Sequence, residues 1–272
     1  MKSAQNALFC LFFTLTIFAF SEQKATEFGF SEPNYFIYTL KNSDRFPSIS
    51  AESQSRLKLH ISLYYRILAL KNERSGLYLG YNQNSFWKES DPRKPFMDNN
   101  FNPEISARFA LLKWLTKNDN PYIPTTKASV SKESNWEKGT NYRGWNKVSG
   151  TLEIGQYGIT EYHCSFGFWK PFNISSNNHD IRKYAGNMQI KMGYWHFDNY
   201  SIAKWGTSMD MRFGSDNTKI NSIAISLFYN PLVGKNLKWI PSLMVQYYYG
   251  YAESLLYYKE KTNAIRIGIA FM

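Results

Sequence analysis

Three polar side chains in the middle of the sequence are suited to hydrolytic chemistry. Lys132, Ser134 and Asn146 offer an amine, a hydroxyl and an amide. A serine nucleophile needs a base that takes its proton and a group that orients the base. The three side chains share the strand alternation of nearby apolar residues, namely Ala128, Val130, Val148 and Leu152. Polar groups on an apolar face are costly unless they pair, so this pattern is the main functional indication in the sequence.

Two predicted strands position these residues. Polar and mainly apolar residues alternate over residues 125–134 and again over residues 147–154, as in strands with one polar and one apolar face. The segment between them, residues 135–145, contains Gly139 and Gly144 and is typical of a hairpin loop. The pattern therefore predicts a hairpin that carries the amine, the hydroxyl and the amide on its apolar face.

The N-terminus predicts export. One lysine precedes a short apolar run that ends in a plausible cleavage site, so we expect residues 1–21 to be a secretory signal peptide. Its removal takes away Lys2 and Cys10, which lowers the formal net charge from +11 to +10 and leaves Cys164 as the only thiol. No intramolecular disulfide is then expected.

The exported part of the chain favours a barrel that crosses a membrane. Aromatic residues make up 18% of the sequence, which is high for a soluble enzyme, and no later apolar run is long enough for a spanning helix. Residues 57–66 and 264–272 alternate apolar and polar, as do strands between lipid and a lumen. We expect an all-β fold, a transmembrane antiparallel β-barrel over residues 55–272. Residues 22–54 are predicted to be an N-terminal extension that plugs or lines it.

Further strands are expected along the barrel sequence. They are predicted at residues 77–83, 105–115, 157–169, 180–195, 199–212, 219–229, 240–250 and 252–260, with a charged loop at residues 88–103. Gln83 lies on the apolar face of its strand, where an amide usually finds a partner. The excess of basic over acidic residues would favour binding to the phosphates of anionic lipids or lipopolysaccharide. Nucleic acid is not expected as a partner, because the signal peptide predicts export.

Four separated stretches resemble outer membrane phospholipase A. They are GYNQNSFW at residues 80–87 with NNFNPE at 99–104, SN at 134–135 with WN at 145–146, DIRKYAG at 180–186 with IKMGY at 190–194, and GYAESL at 250–255. Their order and spacing carry the likeness, which extends over about residues 57–272.

The resemblance implies a barrel of about twelve strands in the outer membrane of a Gram-negative bacterium. It also implies calcium-assisted hydrolysis of the acyl esters of phospholipids, with Ser134 as nucleophile and Asn146 as the orienting amide. Gln83 would contribute to a homodimer contact, as a glutamine of this region does in the family. The backbone carbonyl of Glu137 would fall on a calcium-binding position of the family.

The chain departs from the family at three positions of this site. The family's catalytic histidine position holds Lys132, the glycine after Ser-Asn is Trp136, and the family's calcium-binding hydroxyl position holds Tyr142. A lysine on the same strand face as the serine can act as the base, as in Ser-Lys hydrolases. It can also snorkel to the headgroups and carry charge only.

Other readings of the sequence remain open. The site could be weak or inactive because the histidine is missing, and the chain would then be a non-enzymatic outer-membrane barrel with a structural, transport or surface-binding role. A soluble secreted β-sandwich that binds lipid or sugar is a third reading.

Overall fold

The computed structural model describes residues 28–41, 57–70, 75–87, 96–111, 122–198, 202–214, 219–233 and 241–272. The predicted signal peptide at residues 1–21 lies outside the described residues. Among the described residues, no helix has the length and apolarity needed to cross a membrane.

Thirteen antiparallel strands form one sheet within the described residues. They are β1 Phe28–Phe30, β2 Asn34–Lys41, β3 Leu57–Ala69, β4 Gly76–Trp87, β5 Phe96–Ala110, β6 Thr125–Ser134, β7 Gly144–Ile154, β8 Tyr162–Phe172, β9 Met188–His196, β10 Trp205–Phe213, β11 Ile220–Tyr229, β12 Ser242–Gly250 and β13 Thr262–Phe271. Each strand from β2 to β13 pairs with the next, and β13 pairs with β2. The sheet is therefore a closed barrel of twelve strands, as expected, with β1 as a short addition.

The first wall strand lies within the segment predicted to be an N-terminal extension. β2 pairs with both β3 and β13, so the wall begins well before residue 55. β1 continues along β3 beyond the end of β2, and the short interruption between them contains Pro33, which has no N–H to donate. The proline and the short alternation of β2 hid this strand in the sequence.

Three other strand predictions differ from the structure. The strand predicted at residues 180–195 begins only at Met188, because residues before it form a short helix, α1 Arg182–Ala185. β5 begins at Phe96, within the segment 88–103 that was predicted to be a loop. That prediction ended the loop at Pro103, but Pro103 lies inside the strand. Its missing N–H is tolerated since the ladder to β6 has no partners at Asn102 and Pro103. Residues 252–260 are not a strand. Ala252 has a φ of 54°, and the segment folds into the mouth of the barrel.

The loops between β8 and β9 and between β12 and β13 close the barrel mouth beside the β6–β7 hairpin. Asp98 accepts hydrogen bonds from Ser254 Oγ at 2.6 Å and from the Leu256 backbone N–H at 3.0 Å, which fixes the second loop to β5. Side chains of both loops pack with one wall residue in a buried apolar cluster of Trp145, Ile181, Ala185, Leu255 and Tyr258. This packing places a rigid lid behind the hairpin that carries Ser134.

A buried ion cluster joins this lid to the wall. Glu253 accepts hydrogen bonds from Arg266 Nη1 at 2.7 Å and Nη2 at 3.0 Å, and from Lys58 Nζ at 3.0 Å. Burial alone would raise the pKa of the Glu253 carboxyl, but the charges of Arg266 and Lys58 outweigh it and lower this pKa below its ordinary value. The carboxylate is therefore ionised and paired.

The two faces of the wall differ as a membrane barrel requires. The outer face is apolar over most strands, with exposed side chains that include Leu79, Ile105, Val130, Val148, Phe166, Leu227, Val245 and Ile267. The lumen is polar and holds a cavity of about 520 Å³ lined by charged residues such as Glu104, Lys127, Lys191 and Arg212. A second apolar cluster, centred on Ile37, Trp195 and Phe228, fills the opposite end of the barrel.

Candidate active site on the outer wall

Ser134 ends β6, and strand alternation assigns its side chain to the outer face of the wall. Val130 has the same alternation and is 52% exposed, whereas the adjacent Glu133 lines the lumen. Ser134 itself is only 1% exposed. Phe101 on β5 is its cross-strand neighbour, and the ring of Trp136 stacks on Phe101 with 4.9 Å between centroids. The hydroxyl is therefore buried beside aromatic side chains on a wall that faces lipid.

Lys132 and Asn146 lie directly opposite each other one step along the same face. They are register partners between β6 and β7, and side chains at such positions have Cβ atoms about 4.5–5.5 Å apart. Lys132 is exposed and Asn146 is partly exposed. Within the described residues, neither side chain has a hydrogen-bond partner. The hairpin thus brings together the amine, the hydroxyl and the amide that the sequence singled out.

The luminal side of the same hairpin is fixed by an ion pair. Glu133 Oε2 accepts hydrogen bonds from Lys147 Nζ at 2.7 Å and from Trp145 Nε1 at 3.1 Å, and Trp145 is buried in the lid cluster. These inward side chains alternate with the outward ones, so they hold the two strands that carry the candidate site in a fixed register.

All four histidines lie within the described residues, and none of them is a neighbour of Ser134 in the sheet. His60 and His163 are buried and line the lumen. His179 contacts the Ser176 carbonyl oxygen at 3.2 Å in a loop. His196 is the last residue of β9 and contacts Asp198 at 3.1 Å, at the end of the barrel opposite Ser134.

Trp136 keeps a glycine-like backbone although it carries a large side chain. Its φ is 52°, in the left-handed region that non-glycine residues adopt at a cost. This conformation directs the Trp136 backbone N–H to Ser134 Oγ at 3.2 Å. A backbone N–H beside a nucleophile can stabilise the negative charge of an acyl-transfer intermediate. The substitution of the family glycine has therefore not removed this donor.

Side-chain donors fix the loop between β6 and β7. The carbonyl oxygens of Thr140 and Tyr142 accept from Arg143 Nη1 at 2.6 and 3.0 Å. Asn177 Nδ2 donates to Gly139 O at 3.0 Å and Tyr142 O at 3.2 Å, and Asn135 Nδ2 donates to Asn141 O at 2.9 Å. Asn135 was part of the stretch that carries the family resemblance, but sequence reasoning gave it no role in fixing the loop. It gave no role to Arg143 or Asn177, for which the polar and glycine-rich composition of their loops was the only signal.

This loop offers fewer oxygen ligands than calcium requires. Calcium takes six to eight oxygen ligands, but the carbonyl oxygens of residues 139–142 already accept hydrogen bonds, one pair of them from a guanidinium cation. The hydroxyl expected near the ion is the Tyr142 phenol, which packs over Gly144 instead. Within the described residues, no group of three His, Cys, Asp or Glu side chains could hold a metal ion. The resemblance implied two oxygens for calcium, the Glu137 backbone carbonyl and the hydroxyl at position 142. Only the Glu137 carbonyl is the same kind of group as in the family.

Gln83 lies on β4 in the row of outward side chains and has partners within its own strand. Its Oε1 accepts from Tyr81 Oη at 2.7 Å, and its Nε2 donates to Ser85 Oγ at 2.8 Å. Across the ladder it neighbours Phe101, which in turn neighbours Ser134. A partner that contacts Gln83 would therefore lie next to the candidate site.

A closed barrel with an apolar outer wall and a polar lumen defines a transmembrane β-barrel protein. Here the wall carries Ser134, Lys132 and Asn146 near one another on paired strands. The chain belongs to the Phospholipase A1 family, whose model matches residues 20–271. Two curated relatives, the Phospholipase A1 proteins of Salmonella typhimurium and Escherichia coli K12, are each 26% identical to it over 89% of this chain and 79% of theirs.

Solved structures have the same fold. The outer membrane phospholipase dimer of Salmonella typhi with bound calcium aligns with a TM-score of 0.68 at 22% identity, over 90% of this chain and 92% of that one. Outer membrane phospholipase A from Escherichia coli aligns with a TM-score of 0.69 at 21% identity, over 90% of this chain and 98% of that one. These likenesses establish the twelve-stranded barrel.

Proposed function

We propose that this protein hydrolyses acyl esters of phospholipids at the lipid-facing wall of the outer membrane, with Ser134 as nucleophile. The observation that carries the proposal is the shared outer face of Ser134, Lys132 and Asn146 at one end of the barrel. A phospholipid in the surrounding leaflet can bring its ester to this face without leaving the membrane. Family membership at low identity supports the reaction class.

In the proposed reaction Lys132 replaces the missing histidine as the base. Lys132 Nζ takes the proton of Ser134 Oγ, and the oxygen attacks the ester carbonyl carbon. The bond to the glycerol oxygen then breaks, and Lys132 returns the proton to that leaving oxygen. A water molecule then gives its proton to Lys132 and attacks the acyl carbonyl carbon. The bond to Ser134 Oγ breaks, this oxygen regains the proton from Lys132, and the fatty acid is released. Asn146, opposite Lys132, accepts a hydrogen bond from the amine and directs it.

A hydrolysis assay on protein refolded into phospholipid vesicles tests the proposal. Wild type should release fatty acid, and Ser134→Ala and Lys132→Met should each abolish the release to a similar extent, because residues that act as one unit do not lose activity additively. Activity that is independent of Lys132 would contradict the proposed base. A Val130→Ala variant on the same outer face serves as the matched control for folding.

A non-enzymatic barrel is the second candidate function. The specific observation in its favour is that Ser134 is buried and has no histidine beside it. In that case wild type, Ser134→Ala and Lys132→Met would all release no fatty acid above the level of empty vesicles, although each would fold and insert.

The proposed mechanism contains no calcium step. The carbonyl oxygens of Gly139, Thr140 and Asn141 accept hydrogen bonds from donors of this chain, and the Tyr142 phenol lies over Gly144. We expect the same rate of fatty acid release in millimolar calcium and in excess chelator. A loss of activity in chelator would restore calcium and the Glu137 carbonyl as parts of the site.

We further propose a homodimer that contacts lipopolysaccharide in the outer leaflet. The Gln83 amide has a second N–H and further acceptor capacity beyond its bonds to Ser85 and Tyr81, which two copies can exchange. Lys170 is exposed on the outer face near the same barrel end, where phosphate groups of lipopolysaccharide would lie. Crosslinking in the membrane tests the dimer, and lipopolysaccharide co-purification with a Lys170→Glu variant tests the second contact.

A further inference from the structure

The phenol of Tyr142 lies in the place that a side chain at Gly144 would occupy. A Cβ built on Gly144 would be 2.5 Å from Tyr142 Oη and 2.9 Å from its Cζ. Gly144 is buried while Tyr142 is partly exposed, so the aromatic ring covers the glycine. The hydroxyl is therefore held against the wall rather than directed into solvent.

This position is next to the nucleophile. Gly144 is the register partner of Ser134, and it shares the outward alternation of Asn146 and Val148. Side chains opposite each other on one face of an antiparallel pair have Cβ atoms about 4.5–5.5 Å apart. Since the phenol fills the side-chain position of Gly144, it lies on the outer face beside the Ser134 side chain.

The loop holds Tyr142 in this place before any substrate arrives. The Tyr142 backbone N–H donates to Gly139 O at 3.2 Å, and its carbonyl accepts from Arg143 and Asn177. Gly144 is fixed in turn, because its N–H donates to Asn178 Oδ1 at 3.1 Å. Within the described residues the phenol hydroxyl has no hydrogen-bond partner of its own, so its proton is available to a ligand.

On the basis of the proposed hydrolysis, we propose that Tyr142 is a catalytic residue that donates a hydrogen bond to the oxyanion formed when Ser134 attacks the ester. The Trp136 backbone N–H, 3.2 Å from Ser134 Oγ, is the second donor. Two donors fixed around the nucleophile form the arrangement that stabilises the tetrahedral intermediate of acyl transfer. The chain itself would thus provide the charge stabilisation that its loop does not obtain from a metal ion.

A thiol in place of Ser134 tests the donor without any need for hydrolysis. In a Ser134→Cys background, a neighbouring O–H donor increases the thiolate fraction, so Tyr142→Phe should slow alkylation by iodoacetamide about threefold to tenfold near neutral pH. The rates should converge at high pH, where every thiol is ionised. Because phenylalanine keeps the ring over Gly144, a difference that persists unchanged at high pH would indicate altered access and overturn the proposal, as would equal rates at every pH.

Two further variants sharpen the test. Gly144→Ala places a methyl group where the phenol now lies and should reproduce the effect of Tyr142→Phe on the thiol. Tyr162→Phe, an exposed tyrosine at the other end of the wall, is the matched control and should have no effect.

The hydrolysis assay separates this proposal from the proposed function. Tyr142→Phe should lower kcat about 100-fold with little change in KM, since an oxyanion donor acts mainly in the transition state. An unchanged kcat in an active enzyme would overturn the role of Tyr142 and leave Ser134 as nucleophile. If wild type releases no fatty acid but the thiol responds as expected, hydrolysis fails and hydrogen-bond donation by Tyr142 beside residue 134 stands.

Discussion

The strained backbone of Trp136 gives a prediction whose size follows from the structure. A non-glycine residue in the left-handed region costs about 1–2 kcal/mol, and Trp136 has a φ of 52°. Its ring also stacks on Phe101, and such a pair contributes about 0.5–1.5 kcal/mol. Trp136→Gly removes both the strain and the stacking, whereas Trp136→Ala removes the stacking and keeps the strain.

The comparison of these two variants isolates the backbone. Glycine gains more freedom in the unfolded chain, which offsets part of its advantage by about 0.5–1 kcal/mol. We therefore expect Trp136→Gly to be more stable than Trp136→Ala by about 0.5–1 kcal/mol and close to wild type. Equilibrium unfolding in guanidinium chloride, from protein inserted in lipid vesicles, measures the difference.

The same variants report what buries Ser134. Both remove the ring next to Phe101, so both should speed maleimide labelling in a Ser134→Cys background to a similar degree. An alanine variant as stable as the glycine variant would refute the strain argument, and unchanged labelling would refute the role of the ring in covering Ser134.

Three further predictions concern the wall and the lid. Gln83→Ala should reduce crosslinked dimer in membranes without unfolding the barrel, since such polar contacts contribute only about 1 kcal/mol in a membrane; an unchanged yield would count against the contact. Glu253→Gln should destabilise the barrel by about 3–5 kcal/mol, because it leaves Arg266 and Lys58 with a neutral partner; a variant as stable as wild type would contradict this. Because the pKa of Glu253 is lowered on folding, its stabilisation is complete above the unfolded value of about 4.3 and is lost as pH falls through the folded value, so unfolding against pH should show a loss of stability in acid that Glu253→Gln lacks. Lys132→His places the family's histidine beside Ser134 and should raise fatty acid release only slightly, because Trp136 and Tyr142 still replace the family's residues in the loop; a large increase would show that these two differences do not matter.

The sequence predicted the architecture because lipid-facing and lumen-facing residues alternate along each strand of a barrel wall. Alternation with period two assigned Ser134 and Lys132 to the outer face, and in the structure Lys132 and Val130 of the same alternation are exposed. Strand β2 was missed since Pro33 interrupts its start, and the segment 252–260 was predicted as a strand since its aromatic residues mimic a wall. The residues of segment 252–260 are buried by contacts with Asp98 and Trp145, which are distant in sequence. A local sequence pattern does not indicate such contacts.

The candidate site was only partly accessible to sequence reasoning. The alternation of side chains along the two strands predicted that Lys132, Ser134 and Asn146 share one face. The position of the Tyr142 phenol depends on the absence of a side chain at Gly144 and on donors from a separate loop. The φ of Trp136 likewise follows from the path of the loop, since tryptophan itself does not favour that region.

The role of Ser134 as nucleophile is tested by the release of fatty acid from phospholipid vesicles by the refolded protein, compared with Ser134→Ala. Wild type should release fatty acid in proportion to protein concentration, in chelator as well as in calcium, whereas Ser134→Ala should insert equally well but release none above empty vesicles. Equal release by wild type and Ser134→Ala would contradict it, whether both are active or both are inactive.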